Sequence, residues 1–165
     1  MRIVESRYAW WLLGGSALLL EGVALWVQYG LGLDPCVMGV YERVALFGLM
    51  LAGILGASYP RWLIVRLVGY LIWGISAGWG LLLAWEHVRI QSDPTAALSC
   101  NFAPDFPPWA KLDEWLPTVF LPTGYCDDVQ WQWLSLTMAE WVGVIFAAYL
   151  LVLVGVFLLE LRGRR

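Results

Sequence analysis

The chain has 165 residues, of which 61% are hydrophobic and 14% charged, with a formal net charge of −3 and twelve Trp. Soluble domains average about 45–50% apolar and about 25% charged residues, so this composition excludes an ordinary water-soluble globule. It is equally far from the low-hydrophobicity, high-charge regime of disorder, and its negative charge offers no electrostatic footprint for nucleic acid.

A bilayer hydrocarbon core about 30 Å thick takes about 20 mostly apolar helical residues. Four stretches approach that length, at 8–26, 44–59, 67–85 and 141–159, and the last three carry no Asp, Glu, Lys or Arg. The first carries Glu21 in mid-membrane, where an ionisable group is costly; a hydrogen bond between helices would accommodate it. The second stretch is short, so its helix is predicted to begin near Tyr41, with Glu42 and Arg43 in an interfacial first turn. The first span is read as retained rather than as a cleaved signal, because it is long and lacks a clear small-x-small cleavage site.

The chain thus reads as one all-α membrane domain over residues 1–165: a four-transmembrane-helix bundle with spans at about 8–26, 41–59, 67–85 and 141–159, and loops at about 27–40 and 86–140. Arg2, Arg7, Arg61, Arg66, Arg162, Arg164 and Arg165 flank one side, against Arg43, Arg89 and Lys111 on the other. The positive-inside rule then puts both termini in the cytoplasm and the long loop outside it. That loop, Glu86 to Glu140, holds eight acids, two bases and six of the eight Pro.

Trp10, Trp11, Trp62, Trp85, Trp133 and Trp141 fall near predicted span ends, where an amphipathic ring suits the headgroup layer. Gly14, Gly15 and Ser16, Gly48, Gly53 and Gly56, and Gly74, Ser76, Gly78 and Gly80 suit close helix packing.

Cys36, Cys100 and Cys126 all lie in the first and third connections, hence on one side. In a Gram-negative bacterium that side is an oxidising compartment where disulfides persist. Cys100 and Cys126 would close a ring of 27 residues, which chain-entropy arithmetic values at about 3–4 kcal/mol. On pattern alone a structural staple is therefore favoured over a catalytic disulfide. No metal site is expected, since His87 is the only His and no C-x2-C or H-x3-H pair accompanies the Cys. Sulfur is the best candidate for any chemistry.

Pro35-Cys36-Val37-Met38-Gly39-Val40-Tyr41-Glu42-Arg43 resembles the redox segment of the DsbB family of disulfide bond formation proteins, which reads P-C-x-x-C-x-Y-E-R. The resemblance continues through "ALLLEGVALWVQ", "ERVALFG" and "YLIWGISAGWGLLLAWEH", with Cys100 and Cys126 flanking "FPPWAKLDEWLPTVF". It implies an inner-membrane enzyme with its active site facing the periplasm. There, reduced DsbA would attack a Cys100–Cys126 disulfide, with Cys100 as mixed-disulfide partner and Cys126 as leaving thiolate. Electrons would then pass to a second pair beside the membrane and on to ubiquinone or menaquinone. The stretch "WAKLDEWLPTVF" is amphipathic enough to lie on the bilayer surface and carry the loop inward.

The sequence departs from the family at Gly39, where the quinone-adjacent Cys of the C-x-x-C is expected. Four Cys pass an electron pair between two disulfides, whereas three hold one disulfide and an odd thiol, so low or no turnover is expected. Exchange of Cys36 with the loop pair remains open. Arg43 follows Gly39 by four residues, about one helical turn, and the resemblance favours it as a quinone hydrogen-bond donor over a side chain snorkelling to headgroups. Glu42 would be its ion-pair partner or simply interfacial. His87 is placed at the end of the third helix, as a quinone hydrogen bond, a proton relay or a solvated side chain. The rival readings are a non-catalytic membrane binding protein with a structural Cys100–Cys126 disulfide and a small transporter subunit, for which Glu21 alone supplies a polar lining.

Overall fold

The computed structural model describes residues 5–98, 100–101 and 103–162; Arg2, Arg164 and Arg165, which carry part of the charge asymmetry, lie outside the described residues. In chain order come α1 (Arg7–Gly30), α2 (Val37–Ser58) and α3 (Leu63–Ser92). The long connection holds three single-turn helices, α4 (Pro94–Ala97), α5 (Leu112–Trp115) and α6 (Pro117–Phe120), then a two-stranded hairpin, β1 (Gln132–Trp133) and β2 (Leu136–Thr137). α7 (Met138–Arg162) follows. Four helices, α1, α2, α3 and α7, are long and apolar enough to cross a membrane, so the chain is an all-α, multi-pass membrane protein.

Local chemistry sets the helix ends. α1 runs into Gly32, whose φ of +68° lies in the left-handed region. α2 stops ahead of Pro60 and α3 ahead of Asp93-Pro94, because the residue before proline is driven out of the helical region. Asp93 then caps α4 by accepting from the Thr95 N–H at 2.9 Å. α7 opens on a capping box: the Thr137 N–H donates to Glu140 Oε2 at 2.6 Å, and the Glu140 N–H donates back to Thr137 Oγ1 at 3.3 Å.

The helices outrun the apolar stretches that mark them. α3 has 30 residues, about 45 Å at 1.5 Å per residue, which exceeds a hydrocarbon core. Its last turns carry Glu86, His87, Arg89 and Gln91, residues that suit a helix but not lipid. α2 begins at Val37 instead of near Tyr41, with Cys36 as its N-cap residue. Glu42 and Arg43 consequently sit in the second turn and are buried, contrary to the interfacial placement expected for them.

α1 packs on α2, α2 on α3 and α3 on α7, whereas α1 and α7 touch only sparsely. Small residues make the close approaches. A Cβ on Gly53 would meet the Gly14 backbone nitrogen at 2.5 Å, Gly48 faces Ser76, and Gly80 faces the Phe146 ring. A Cβ on Gly15 or Gly78 would meet nothing within 4 Å, so these two glycines are not required by a close approach.

Trp10 corrects a sequence expectation. It is 3% exposed rather than anchored among headgroups. Its ring lies against Gly56 and Gly69, with ring centroids 5.2 Å from Tyr70 and 6.4 Å from Trp73. Position near a span end does not reveal which way a ring turns; here a glycine-lined recess takes it. Trp11, Trp62 and Trp85 are exposed.

A buried charge cluster joins α3 to α7 at the same end. Arg66 donates to Glu160 Oε1 at 2.8 Å and to the Pro60 carbonyl at 2.7 Å, and the Tyr70 hydroxyl donates to Glu160 Oε2 at 3.3 Å. Glu160→Ala leaves the buried Arg66 with the more distant, partly exposed Glu5 at 4.0 Å as a counter-charge, so we expect a loss of about 3 kcal/mol, the low end for breaking a buried pair, measured as a drop in unfolding stability. An Arg66→Met/Glu160→Leu pair should lose far less.

In the long connection, "WAKLDEWLPTVF" forms two single turns broken at Leu116 by Pro117. Trp109 and Trp115 are exposed, while Phe120 is buried between Phe47 and Phe106. The hairpin turns through Leu134 and Ser135 at φ of 51° and 65°, the type I′ shape that normally selects Asn-Gly.

Candidate active site

The sulfurs meet because the connection folds back over the start of α2. Tyr29 Oη donates to the Thr118 carbonyl at 2.6 Å, the Tyr41 hydroxyl accepts from the Asp105 N–H at 2.6 Å, and Arg43 Nη1 donates to the Val119 carbonyl at 2.7 Å. The Thr123 and Gly124 N–H groups both donate to the Pro35 carbonyl, at 2.9 and 3.0 Å. Gly124 is needed there, since a Cβ would meet the Asp34 carbonyl oxygen at 2.5 Å. Two residues later, Cys126 is delivered against Cys36.

Cys36, Cys126 and Cys100 pack in one cluster with Val37, Ile90 and Ala96. All three are free thiols; Cys36 and Cys126 are buried and Cys100 is half-buried. The Cys126 thiol donates toward Cys36, which holds Cys36 below the ordinary thiol value against the opposing effect of its burial. The same bond, with burial and the Cys36 charge, pushes Cys126 up. Burial and then the bond to Cys126 push Cys100 up to about 12. Of the three thiols, Cys36, the sulfur nearest the membrane helices, is therefore the one that gives up its proton most readily.

Behind Cys36 stand two more buried groups. His87 Nε2 lies 3.4 Å from the Cys36 sulfur, and His87 Nδ1 lies 3.1 Å from Glu42 Oε1. Arg43 turns the other way: Nη1 donates to Gln28 Oε1 at 2.8 Å, and Nε lies 3.9 Å from Glu21 Oε1. The expected Glu42–Arg43 pair does not form, because adjacent helical residues point about 100° apart. Glu21 likewise lacks the expected hydrogen bond: its carboxylate oxygens are buried with no hydrogen-bond partner, and Arg43 is its ion-pair neighbour.

Beside these groups a cavity of about 580 Å³ lies between α1 and α7, backed by α2 and α3. Cys36, Gly39, Glu42, Arg43 and His87 line its polar wall, and Leu20, Val27, Trp141, Ile145 and Phe146 are among its apolar ones. One turn beyond Leu20 and Ile145, the Ser16 and Tyr149 hydroxyls lie 2.8 Å apart and join α1 to α7. A Cβ on Gly39 would meet nothing within 4 Å. All the candidate residues, Cys36, Gly39, Glu42, Arg43, His87, Cys100 and Cys126, thus converge on one end of the bundle. Gln28 and Gln91 also line the cavity and were missed; the signal for Gln28 is its place seven residues, two turns, after Glu21.

A family model for "Disulfide bond formation protein DsbB" matches residues 6–156. The chain belongs to the DsbB family. A Shewanella amazonensis protein is 51% identical over 147 residues, covering 89% of this chain and 87% of the relative. Shewanella sp. (strain ANA-3) and Psychromonas ingrahamii proteins are each 49% identical over 152 residues, covering 92% of this chain and 87% and 82% of theirs. All three are named disulfide bond formation protein B. The activity of the DsbB family is disulfide bond formation, a thiol–disulfide oxidoreductase chemistry.

Proposed function

We propose that this DsbB-family chain is a protein-disulfide:quinone oxidoreductase of the bacterial inner membrane, impaired by Gly39. Its partner is a reduced DsbA-type thiol oxidase, met on the periplasmic side, with both termini in the cytoplasm. Its electron acceptor is membrane ubiquinone or menaquinone. The carrying observation is the cavity between α1 and α7, with Cys36, Gly39 and Arg43 on one wall beside three packed sulfurs.

The residues present fit a quinone. Apolar walls suit a flat ring and its tail, Arg43 supplies a charged donor at the polar wall, and the space above Gly39 is open. Bound there, a quinone would supply a two-electron, two-proton acceptor. Arg43 would orient it, held in place itself by Gln28 and the Val119 carbonyl. Glu42 and His87 border the same space.

Cys100, the most accessible of the three thiols, would take the partner's sulfur as a mixed disulfide, with Cys126 behind it as leaving group. Three sulfurs hold one disulfide and one thiol, so no second protein disulfide is left to pass the electron pair on. A plain structural staple between Cys100 and Cys126 accounts less well for the burial of Cys36 against Cys126.

The test is equilibrium binding of a short-chain ubiquinone, read by quenching of Trp fluorescence. Saturable quenching is expected, with affinity about tenfold weaker in Arg43→Gln, the equivalent of about 1.4 kcal/mol. Absence of saturable quenching in the unsubstituted chain would overturn the quinone reading.

A further inference from the structure

Electron flow alone leaves one buried series of groups at the cysteine end without a task. The Glu42 carboxylate only accepts, so His87 Nδ1, 3.1 Å away, carries the ring proton. Nε2 of the neutral ring is then a bare lone pair facing the Cys36 sulfur at 3.4 Å. A thiol has a base within reach, and the base has a carboxylate behind it, which is the order that activates nucleophiles. All three side chains are buried, where such contacts are strengthened.

We propose that His87 is the proton acceptor that turns Cys36 into an attacking thiolate for disulfide exchange within the chain, with Glu42 as the positioning residue that fixes its tautomer. This rests on the disulfide chemistry of the family and on the three packed sulfurs, and not on quinone.

The step is balanced without an oxidant. Starting from a Cys100–Cys126 disulfide, Cys36 gives its proton to His87 and its sulfur attacks Cys126 Sγ. The Cys36–Cys126 bond forms, the Cys100–Cys126 bond breaks, and Cys100 leaves with the electron pair. Cys100 takes a proton from solvent, and His87 returns the one it holds. One thiol and one disulfide become one thiol and one disulfide, with the thiol moved to the more accessible position.

A base at Cys36 serves this step because the rate of exchange depends on how much of the attacking thiol is present as thiolate, and His87 Nε2 lies 3.4 Å from that sulfur. The groups that face Cys36 and His87 are Glu42 from α2 and Cys100 and Cys126 from the long connection. Glu42 by itself opposes a thiolate on Cys36; the His87 imidazolium between them offsets that. Arg43, on the same cavity wall, is turned to Glu21 and Gln28.

The decisive measurement is the pH dependence of Cys36 alkylation in the full-length reduced chain, resolved by peptide mass spectrometry with no quinone present. We expect Cys36 to react from near neutral pH. His87→Gln should slow it about tenfold at pH 7 and move its inflection up by about one unit, and Glu42→Gln should act in the same direction by about threefold. An unchanged Cys36 profile in His87→Gln overturns the proposal.

Should that variant fail to fold, the single histidine of the chain gives an imidazole 15N titration that needs no assignment. In a Cys100→Ser/Cys126→Ser chain, blocking Cys36 as a methyl disulfide should shift that titration, and an unmoved titration overturns the proposal equally. Neither readout depends on quinone, so failure here leaves the quinone reading standing and the reverse holds too.

Discussion

Replacing Gly39 with Cys is expected to raise quinone reduction by reduced DsbA by about a hundredfold or more, the scale on which one member of a concerted catalytic set is felt. The new sulfur would stand on the cavity wall between Cys36 and Arg43, where the backbone leaves open space. It would give Cys36 a disulfide partner three residues along, completing the two pairs that an electron relay needs. Gly39→Ala is the control, since it fills the same Cβ position without sulfur. Both variants should be at least as stable as the unsubstituted chain, because Gly inside a helix costs about 0.5–1 kcal/mol relative to Ala. Equal low turnover in the folded Cys and Ala variants would show that sulfur at 39 is not what is missing.

Cys126→Ser should abolish the internal disulfide of the oxidised chain. Cys126 is the thiol whose electrostatics are coupled to both of the others, and it packs with Cys36 and Cys100 in one cluster. Cys36→Ser should keep a Cys100–Cys126 link, and Cys100→Ser should keep a Cys36–Cys126 link, each seen by peptide mapping without reductant. A Cys36–Cys100 link formed readily in Cys126→Ser would remove the middle position assigned to Cys126.

The four spanning helices were legible because long apolar runs leave few alternatives to a membrane helix. Their ends were not: hydropathy marks where hydrocarbon ends, and α3 continues through His87 to Ser92 because nothing before Asp93-Pro94 forbids a helix. One wall of the site, Cys36, Gly39 and Arg43, was readable from helical spacing once α2 was in place. Its cross-links were not. Glu42 meets His87 across 45 residues, and Arg43 meets Val119 across 76, contacts set by how elements dock. Glu21 drew attention as an isolated charge, but only the packing of α1 on α2 shows that its companion is Arg43. The hairpin at 132–137 was hidden because Leu134-Ser135 carries none of the Gly, Asn or Asp that positive φ at both central positions normally selects.

The sparse contact between α1 and α7 bears on how the site is reached. At the level of Trp10 the first three helices are wedged together, and the Arg66–Glu160 pair ties in α7. Toward the cysteines, the cavity lies between α1 and α7, with Leu31, Tyr125 and Trp131 of the two connections also on its walls. For an apolar ligand that reaches this cavity from the bilayer phase, the local supply is set by its mole fraction among lipids. Its dissociation constant, expressed per volume of solution, will then rise in proportion to added lipid or detergent, and occupancy will track membrane composition rather than bulk concentration.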